Sequence, residues 1–185
     1  MTYEKHHFAA TLAVVEDLAP ALRLSLRVKP AHRATLGQAL GLDLPTRVGS
    51  RAAAGGTETL CLGPDEWLLT APEGTDLATP ARAVYADAPH SLVDISDREI
   101  SLRLSGPAVL DLLAACCPRN IAAMPVGTAA RTVFDSATVI LWRDGPADFR
   151  MDIWRSFAPH VRALLAQGAV RAGGQPHHGA ELPRE

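Results

Sequence analysis

Leu22, Leu24, Leu26 and Val28 occupy every second position of one stretch, and Arg23, Ser25 and Arg27 fill the gaps between them. A period of two is that of a half-buried strand, which puts the leucines on a core face and the arginines and serine on a wet one. Pro30 ends the run, and Leu36 and Leu40 then predict a short helix that stops near Gly41. Residues 48–56 are small, end in Gly55-Gly56, and read as a loop or a frayed edge strand. Leu60 and Leu62 enter a turn at Gly63-Pro64-Asp65, and Trp67 and Leu69 leave it, so 57–70 is predicted to be a hairpin. Pro64 sets one turn dihedral, while the Asp65 side chain accepts from the backbone beyond it. Pro80 suits the first turn of a helix reaching about Ala88, and Leu92, Val93 and Ile95 make a further strand.

The same order then recurs. Ile100, Leu102 and Leu104 alternate with Ser101, Arg103 and Ser105, and Val109, Leu110, Leu112 and Leu113 follow at helical spacing until Pro118. Pro125-Val126-Gly127 is a turn, 130–134 and 138–142 are predicted strands, and Phe149, Met151 and Ile153 mark another. Ser156 is placed to cap a final helix through Leu164 and Leu165. Segment 23–30 resembles 99–107, and the pairs Pro30/Pro107, Gly63/Gly145 and Pro80/Pro159 lie 77, 82 and 79 residues apart. Similar offsets in one order are the mark of an internal repeat. Each copy reads strand, helix, strand, strand, helix, with a closing strand clear only in the first. The expected fold is α+β, built of two pseudo-repeated ferredoxin-like (split βαβ) units. The expected division is an arm over 1–20, halves over 21–97 and 98–170, and a disordered Gly, Pro and His tail over 171–185.

Charge and composition exclude several classes. A net charge of -2 over 185 residues offers no general attraction for nucleic acid, and the scarcity of aromatics argues against base-stacking platforms. No segment approaches the roughly 18 apolar residues of a membrane helix, so a soluble cytoplasmic protein with no membrane partner is expected. Cys61, Cys116 and Cys117 lack the spacing of a zinc site or disulfide framework. Adjacent Cys116 and Cys117 read as small buried residues near a helix end. His6-His7 and His177-His178 have no acid or cysteine partner placed by a rigid element, so no metal is expected.

Asp65, Glu66, Asp94, Asp97 and Glu99 gather around turns, where local backbone bonds explain them more simply than acid-base catalysis. Asp94 stands apart, because it lies between Val93 and Ile95 and points to a partner such as Arg98 or Arg131. Arg98, Arg103, Arg131, Arg143, Arg150 and Arg155 crowd the second copy, as solvated residues or as interface groups. Trp67 is either core or contact.

Leu-Gly-Pro-Asp-Glu-Trp-Leu-Leu at 62–69, Val-Asp-Ile-Ser-Asp-Arg at 93–98, Leu-Ser-Gly-Pro-Ala at 104–108 and Trp-Arg-Ser-Phe-Ala at 154–158 resemble the gamma subunit of heterotetrameric sarcosine oxidase. More distantly, the blocks at 93–96 and 104–108 are similar to the folate-binding region of glycine-cleavage aminomethyltransferases. The first resemblance implies a non-catalytic structural subunit of an assembly that demethylates sarcosine to glycine. It also implies alpha, beta and delta partners carrying FAD, FMN, NAD and tetrahydrofolate, with no cofactor on this chain. Trp67, Arg98, Arg103 and Arg155 are the partner contacts expected in that setting. The second resemblance implies the alternative of a stand-alone folate-binding or aminomethyltransferase-like protein, with Asp94 as anchor. Asp97 stands where those proteins carry a histidine and Thr70-Ala71 where they carry an asparagine, which points away from folate binding here.

Overall fold

The computed structural model describes Lys5, His6 and residues 13–172. Its first part contains β1 (Lys5–His6), β2 (Val14–Asp17), β3 (Leu22–Val28), α1 (Arg33–Leu40), β4 (Arg51–Ala54), β5 (Thr57–Gly63), β6 (Glu66–Ala71), α2 (Ala78–Ala83) and β7 (His90–Asp94). There follow β8 (Glu99–Ser105), α3 (Val109–Ala114), β9 (Thr128–Phe134), β10 (Ala137–Gly145), β11 (Asp148–Trp154) and α4 (Ala158–Ala172). One antiparallel sheet has the order β4-β5-β6-β3-β7, and the other β1-β2-β8-β11-β10-β9. The fold is α+β with two antiparallel sheets.

Alternation along the strands decides the layering. Leu24, Leu26, Val28, Cys61, Trp67 and Leu69 project from the first sheet onto α1 and α2, where Leu36, Leu40 and Ala81 meet them. Leu102, Leu104, Val139, Leu141, Phe149, Met151 and Ile153 project from the second onto Leu112, Leu113, Val161 and Leu165 of α3 and α4. The opposite faces of the sheets meet each other through Leu60, Leu68, Ile95, Ala129, Ile140 and Trp142. The layers therefore run helices, sheet, sheet, helices. Each fully buried large apolar side chain contributes roughly 1.5–3 kcal/mol, so three such layers are an ample core.

Local chemistry explains where elements end. Gly41 closes α1 in the left-handed conformation at φ 66°, with its N–H on the Gln38 carbonyl. Gly49 is left-handed at φ 85°, and its carbonyl accepts from Ala129 N–H, which ties the loop before β4 to the edge of the second sheet. A Cβ there would lie 2.8 Å from the Ala129 oxygen, so only glycine fits. Both hairpins, β5–β6 and β10–β11, shift register just before their tips, between Cys61 and Gly63 and between Arg143 and Gly145.

Some expectations change. The strand beside β8 is β2, paired Val14↔Ser105 through Asp17↔Leu102, so the early segment enters the second sheet. Ser156 lies inside a 3₁₀ turn (Arg155–Phe157) ahead of α4, and no side-chain cap bond precedes that turn. The helix continues to Ala172, past the boundary expected at 170. The rest of the expected tail, with His177-His178, lies outside the described residues, as does His7. The face of β3 expected to be wet is largely turned into the seam between the sheets, where Arg23 is only 4% exposed.

Candidate functional site

The strand periodicity that sends leucines to the helices sends charged residues to the seam. At one end of the shared apolar layer, Arg150 donates to both Glu58 and Asp144, and Arg51 donates to the same two carboxylates at 2.6 and 2.7 Å. These contacts cross from β4 and β5 to β10 and β11, so they fix one sheet on the other. The Arg51 and Arg150 guanidinium carbons lie 4.9 and 4.7 Å from the Trp142 ring centroid, one cation–π contact from each sheet. Trp142 Nε1 donates to Asp152 Oδ2 at 2.6 Å. Asp152 in turn accepts from the Ser101 hydroxyl, and Ser101 Oγ accepts from Arg23.

Burial pushes the Glu58 and Asp144 carboxyls up, but the bonds from Arg150 and Arg51 outweigh it and hold both below their ordinary values. Burial likewise pushes Arg150 down, and its bonds to Asp144 and Glu58 more than reverse this. Elsewhere across the seam, Arg131 of β9 makes a two-pronged contact with Glu66 of β6, and Arg27 also reaches Glu66 at 3.2 Å. The Arg131 bond holds the Glu66 carboxyl below its ordinary value. The cluster of Arg51, Glu58, Asp144 and Arg150 specifies how the two faces meet, because removing one member strands the others where their side chains are only 14–28% exposed.

Beside Arg23 the seam opens into a cleft of about 240 Å³. Leu18, Ala19 and Ala21 form part of its wall, with Arg23, Glu58, Thr70, Ser101, Arg150 and Asp152 supplying polar groups. A second depression, about 460 Å³, lies between β2 and α4 and is lined by Val15, Leu102, Pro159, Ala163 and the Asp17–Arg162 ion pair.

Residues 26–171 match the family model described as "Sarcosine oxidase, gamma subunit family". The chain belongs to this family. The sarcosine oxidase subunit gamma of an Arthrobacter species is 40% identical over 141 residues, covering 74% of this chain and 70% of that one. A chain of the heterotetrameric sarcosine oxidase from Corynebacterium sp. U-96 superposes with a TM-score of 0.82 at 30% identity, covering 91% of this chain and 92% of the other. The glycine cleavage system aminomethyltransferase T from Bartonella henselae shares the fold at a TM-score of 0.65 and 15% identity, covering 85% of this chain and 46% of its own.

Within this gamma-family chain the expected contact residues separate. Trp67 is 1% exposed, packs on the helix side of the first sheet and donates Nε1 to the Pro45 carbonyl, which closes it to any partner. Arg103 is at the surface and held two-pronged by Asp148. Arg98 and Arg155 share a different patch. Arg98 pairs with Glu99 and stacks 5.2 Å from the Trp154 ring, and Arg155 Nε donates to the Asp97 carbonyl. Trp154 and Phe157, 44% and 38% exposed with ring centroids 6.5 Å apart, complete that patch. The alternation Phe149, Met151, Ile153 inward against Arg150, Asp152, Trp154 carried the signal for Trp154, and sequence reasoning passed over it.

The other arginines are structural. Arg143 is buried and donates to the carbonyls of Ile121, Ala122, Met124, Gly145 and Pro146, pinning the loop before β9 to the second hairpin. Asp94 has neither Arg98 nor Arg131 as partner. It is exposed at the end of β7 and accepts from Ser96 N–H and Oγ, at 2.9 and 2.6 Å, which lowers its proton affinity. This is a local turn contact. Among the described residues no three His, Cys, Asp or Glu side chains gather to hold a metal, the three cysteines are free thiols, and no helix is long and apolar enough to cross a membrane.

Proposed function

We propose that this chain serves as a structural subunit, itself non-catalytic, in a heterotetrameric sarcosine oxidase. It is a gamma subunit of that enzyme, and the observation that carries the reading is the family match over nearly all of the described chain. The state of its charges supports a scaffold. General acid-base work needs groups that exchange protons near the working pH, whereas Glu58 and Asp144 are held down and Arg150 up by their mutual bonds. Its partners on this reading are the alpha, beta and delta subunits, which carry FAD, FMN, NAD and tetrahydrofolate. The Arg98, Trp154, Arg155 and Phe157 patch meets one of them, because exposed aromatic and arginine side chains at one spot are the composition of binding hot spots.

A pterin is a poor fit to this chain's own residues. The Asp94 carboxylate, its expected anchor, is already engaged by Ser96 at the surface.

The same reading includes an internal duplication over 21–97 and 98–170. It is supported by strand order: β5-β6-β3-β7 and β10-β11-β8-β2 have the same sequence of roles, that of a ferredoxin-like sheet, once β2 is taken as the closing strand of the later unit. The segment before residue 21 thus supplies the strand that the second repeat lacks.

Co-expression with the three other subunits tests the assignment. The tagged chain is expected to co-purify with flavin-bearing subunits, and Trp154→Ala with Phe157→Ala is expected to lower recovery about tenfold or more, on the scale of a lost hot spot. Recovery of this chain alone, with flavin subunits active and complete without it, would overturn the structural role.

A further inference from the structure

Position by position, the two sheets match in every place but one. The order β4-β5-β6-β3-β7 runs parallel to β9-β10-β11-β8-β2, and the second sheet then adds β1 outside β2, with Lys5 in register with Glu16 and His6 with Val15. Among the described residues no strand lies outside β7. The bonding phase is the same in both units. Leu18 N–H donates to the Ser101 carbonyl and Ile95 N–H to the Arg23 carbonyl, and bonded positions alternate along an antiparallel ladder. Val15 and Asp17 therefore turn their backbone groups away from β8, and His90, Leu92 and Asp94 turn theirs away from β3. On β2 that outer row receives a strand. On β7 it meets none among the described residues.

The side chains around that row narrow the occupant. Val93 is 51% exposed on the seam side of β7, and Tyr85 is 55% exposed against the His90 ring on the helix side, so apolar surface flanks the edge on both faces. Asp87, Asp94 and Asp97 are exposed along 86–97, a stretch with no lysine or arginine. Natural sheet edges are blunted by lysine, proline or a bulge, and β7 has none of the three in its unbroken register with β3. A second copy would set two acidic edges against each other, whereas an extended basic segment meets both the backbone row and the charge. Residues 96–98 lead from β7 straight to Arg98, so the edge adjoins the Trp154 patch. We propose that β7 is a docking edge for an extended, basic segment of a partner subunit, which adds antiparallel to it as β1 adds to β2. Apolar side chains of that segment cover Val93 and Tyr85, and its lysine or arginine meets Asp94. The proposal rests on the reading that this chain is held in an oxidase assembly.

The test compares hydrogen–deuterium exchange in the free chain with exchange in the complex purified after co-expression with the other three subunits. The peptide covering 88–96 is expected to exchange at least about tenfold more slowly in the complex. Leu92→Pro removes an N–H that β3 does not use, and edge strands accept proline at such positions. It is expected to lower recovery of the flavin subunits about tenfold. Val93→Lys sets a cation against a basic segment at an exposed position and is expected to do the same, which decides the matter should Leu92→Pro fail to fold. Val93→Glu is expected to lose less. Co-purification with 88–96 exchanging as in the free chain, recovery unchanged in Leu92→Pro and Val93→Lys, or equal losses for Val93→Lys and Val93→Glu would each overturn the proposal and leave the subunit reading standing. Protection of 88–96 in the free chain that rises with its concentration would give the edge to a second copy and overturn the proposal. Failure of the chain to co-purify at all would remove the subunit reading and this proposal with it.

Discussion

The two hairpin tips, Gly63-Pro64-Asp65-Glu66-Trp67 and Gly145-Pro146-Ala147-Asp148-Phe149, share one backbone plan and diverge in what their acids do. Each shifts register before the turn, and each sends its aromatic, Trp67 or Phe149, into the core on the helix side of its sheet. Glu66, however, reaches across the seam to Arg131 of the other sheet, whereas Asp148 holds Arg103 within its own sheet at the surface. Equivalent positions in equivalent turns therefore have unequal structural weight. The difference lies in what stands opposite, since Arg131 of β9 faces Glu66 at the first tip while Asp148 at the second meets Arg103 of its own sheet.

That comparison can be broken most decisively at the aromatics. Trp67→Ala and Phe149→Ala are each expected to cost about 3–5 kcal/mol in urea denaturation; a loss below about 1 kcal/mol at either one would remove the equivalence. The ion pairs come next. Arg131→Ala is expected to cost about 1–3 kcal/mol, since it leaves the Glu66 carboxylate, only 14% exposed, with Arg27 alone, and Asp148→Ala no more than about 1 kcal/mol, as for an exposed pair. Equal losses would deny the seam its role. Gly49→Ala is expected to lower stability by at least about 1 kcal/mol, because the loop to β9 must shift from its left-handed turn; unchanged stability would show that this junction gives easily.

Acid sharpens the same contrast with a smaller effect. Glu58, Glu66 and Asp144 are held below ordinary values of 4.5, 4.5 and 3.8. Groups lowered in the folded state contribute stability in full above those ordinary values and lose it as the pH falls through the lowered ones. The chain should therefore weaken progressively from about pH 5 downward. In Glu66→Gln that acid limb is expected to flatten, measured as the pH dependence of the urea midpoint. A limb identical to the parent's would mean that the Arg131 contact does not bias Glu66.

The strands, both hairpins and α1 with its Gly41 stop were legible, because alternation and turn residues act over a few positions. The blocks at 62–69, 93–98, 104–108 and 154–158 also carried the resemblance to the family. The candidate site was less legible. Arg23 and Arg27 alternate identically along β3, yet Arg23 is buried against Ser101 and Asp152 while Arg27 is exposed. Nothing local distinguishes them. Trp154 shares its phase of β11 with Asp152, yet Asp152 is buried in the seam while Trp154 is 44% exposed.

Sequence alone determined the period of each strand, the turns that join them and which residues point the same way, since these follow from backbone geometry and neighbouring side chains. Only the tertiary structure decided that the polar faces meet each other rather than water. It also decided that β2 completes the second sheet, and that β1 lies outside β2 while β7 ends its own sheet. Those outcomes depend on contacts between residues far apart in the chain, where burial turns a soluble arginine into a pinned one.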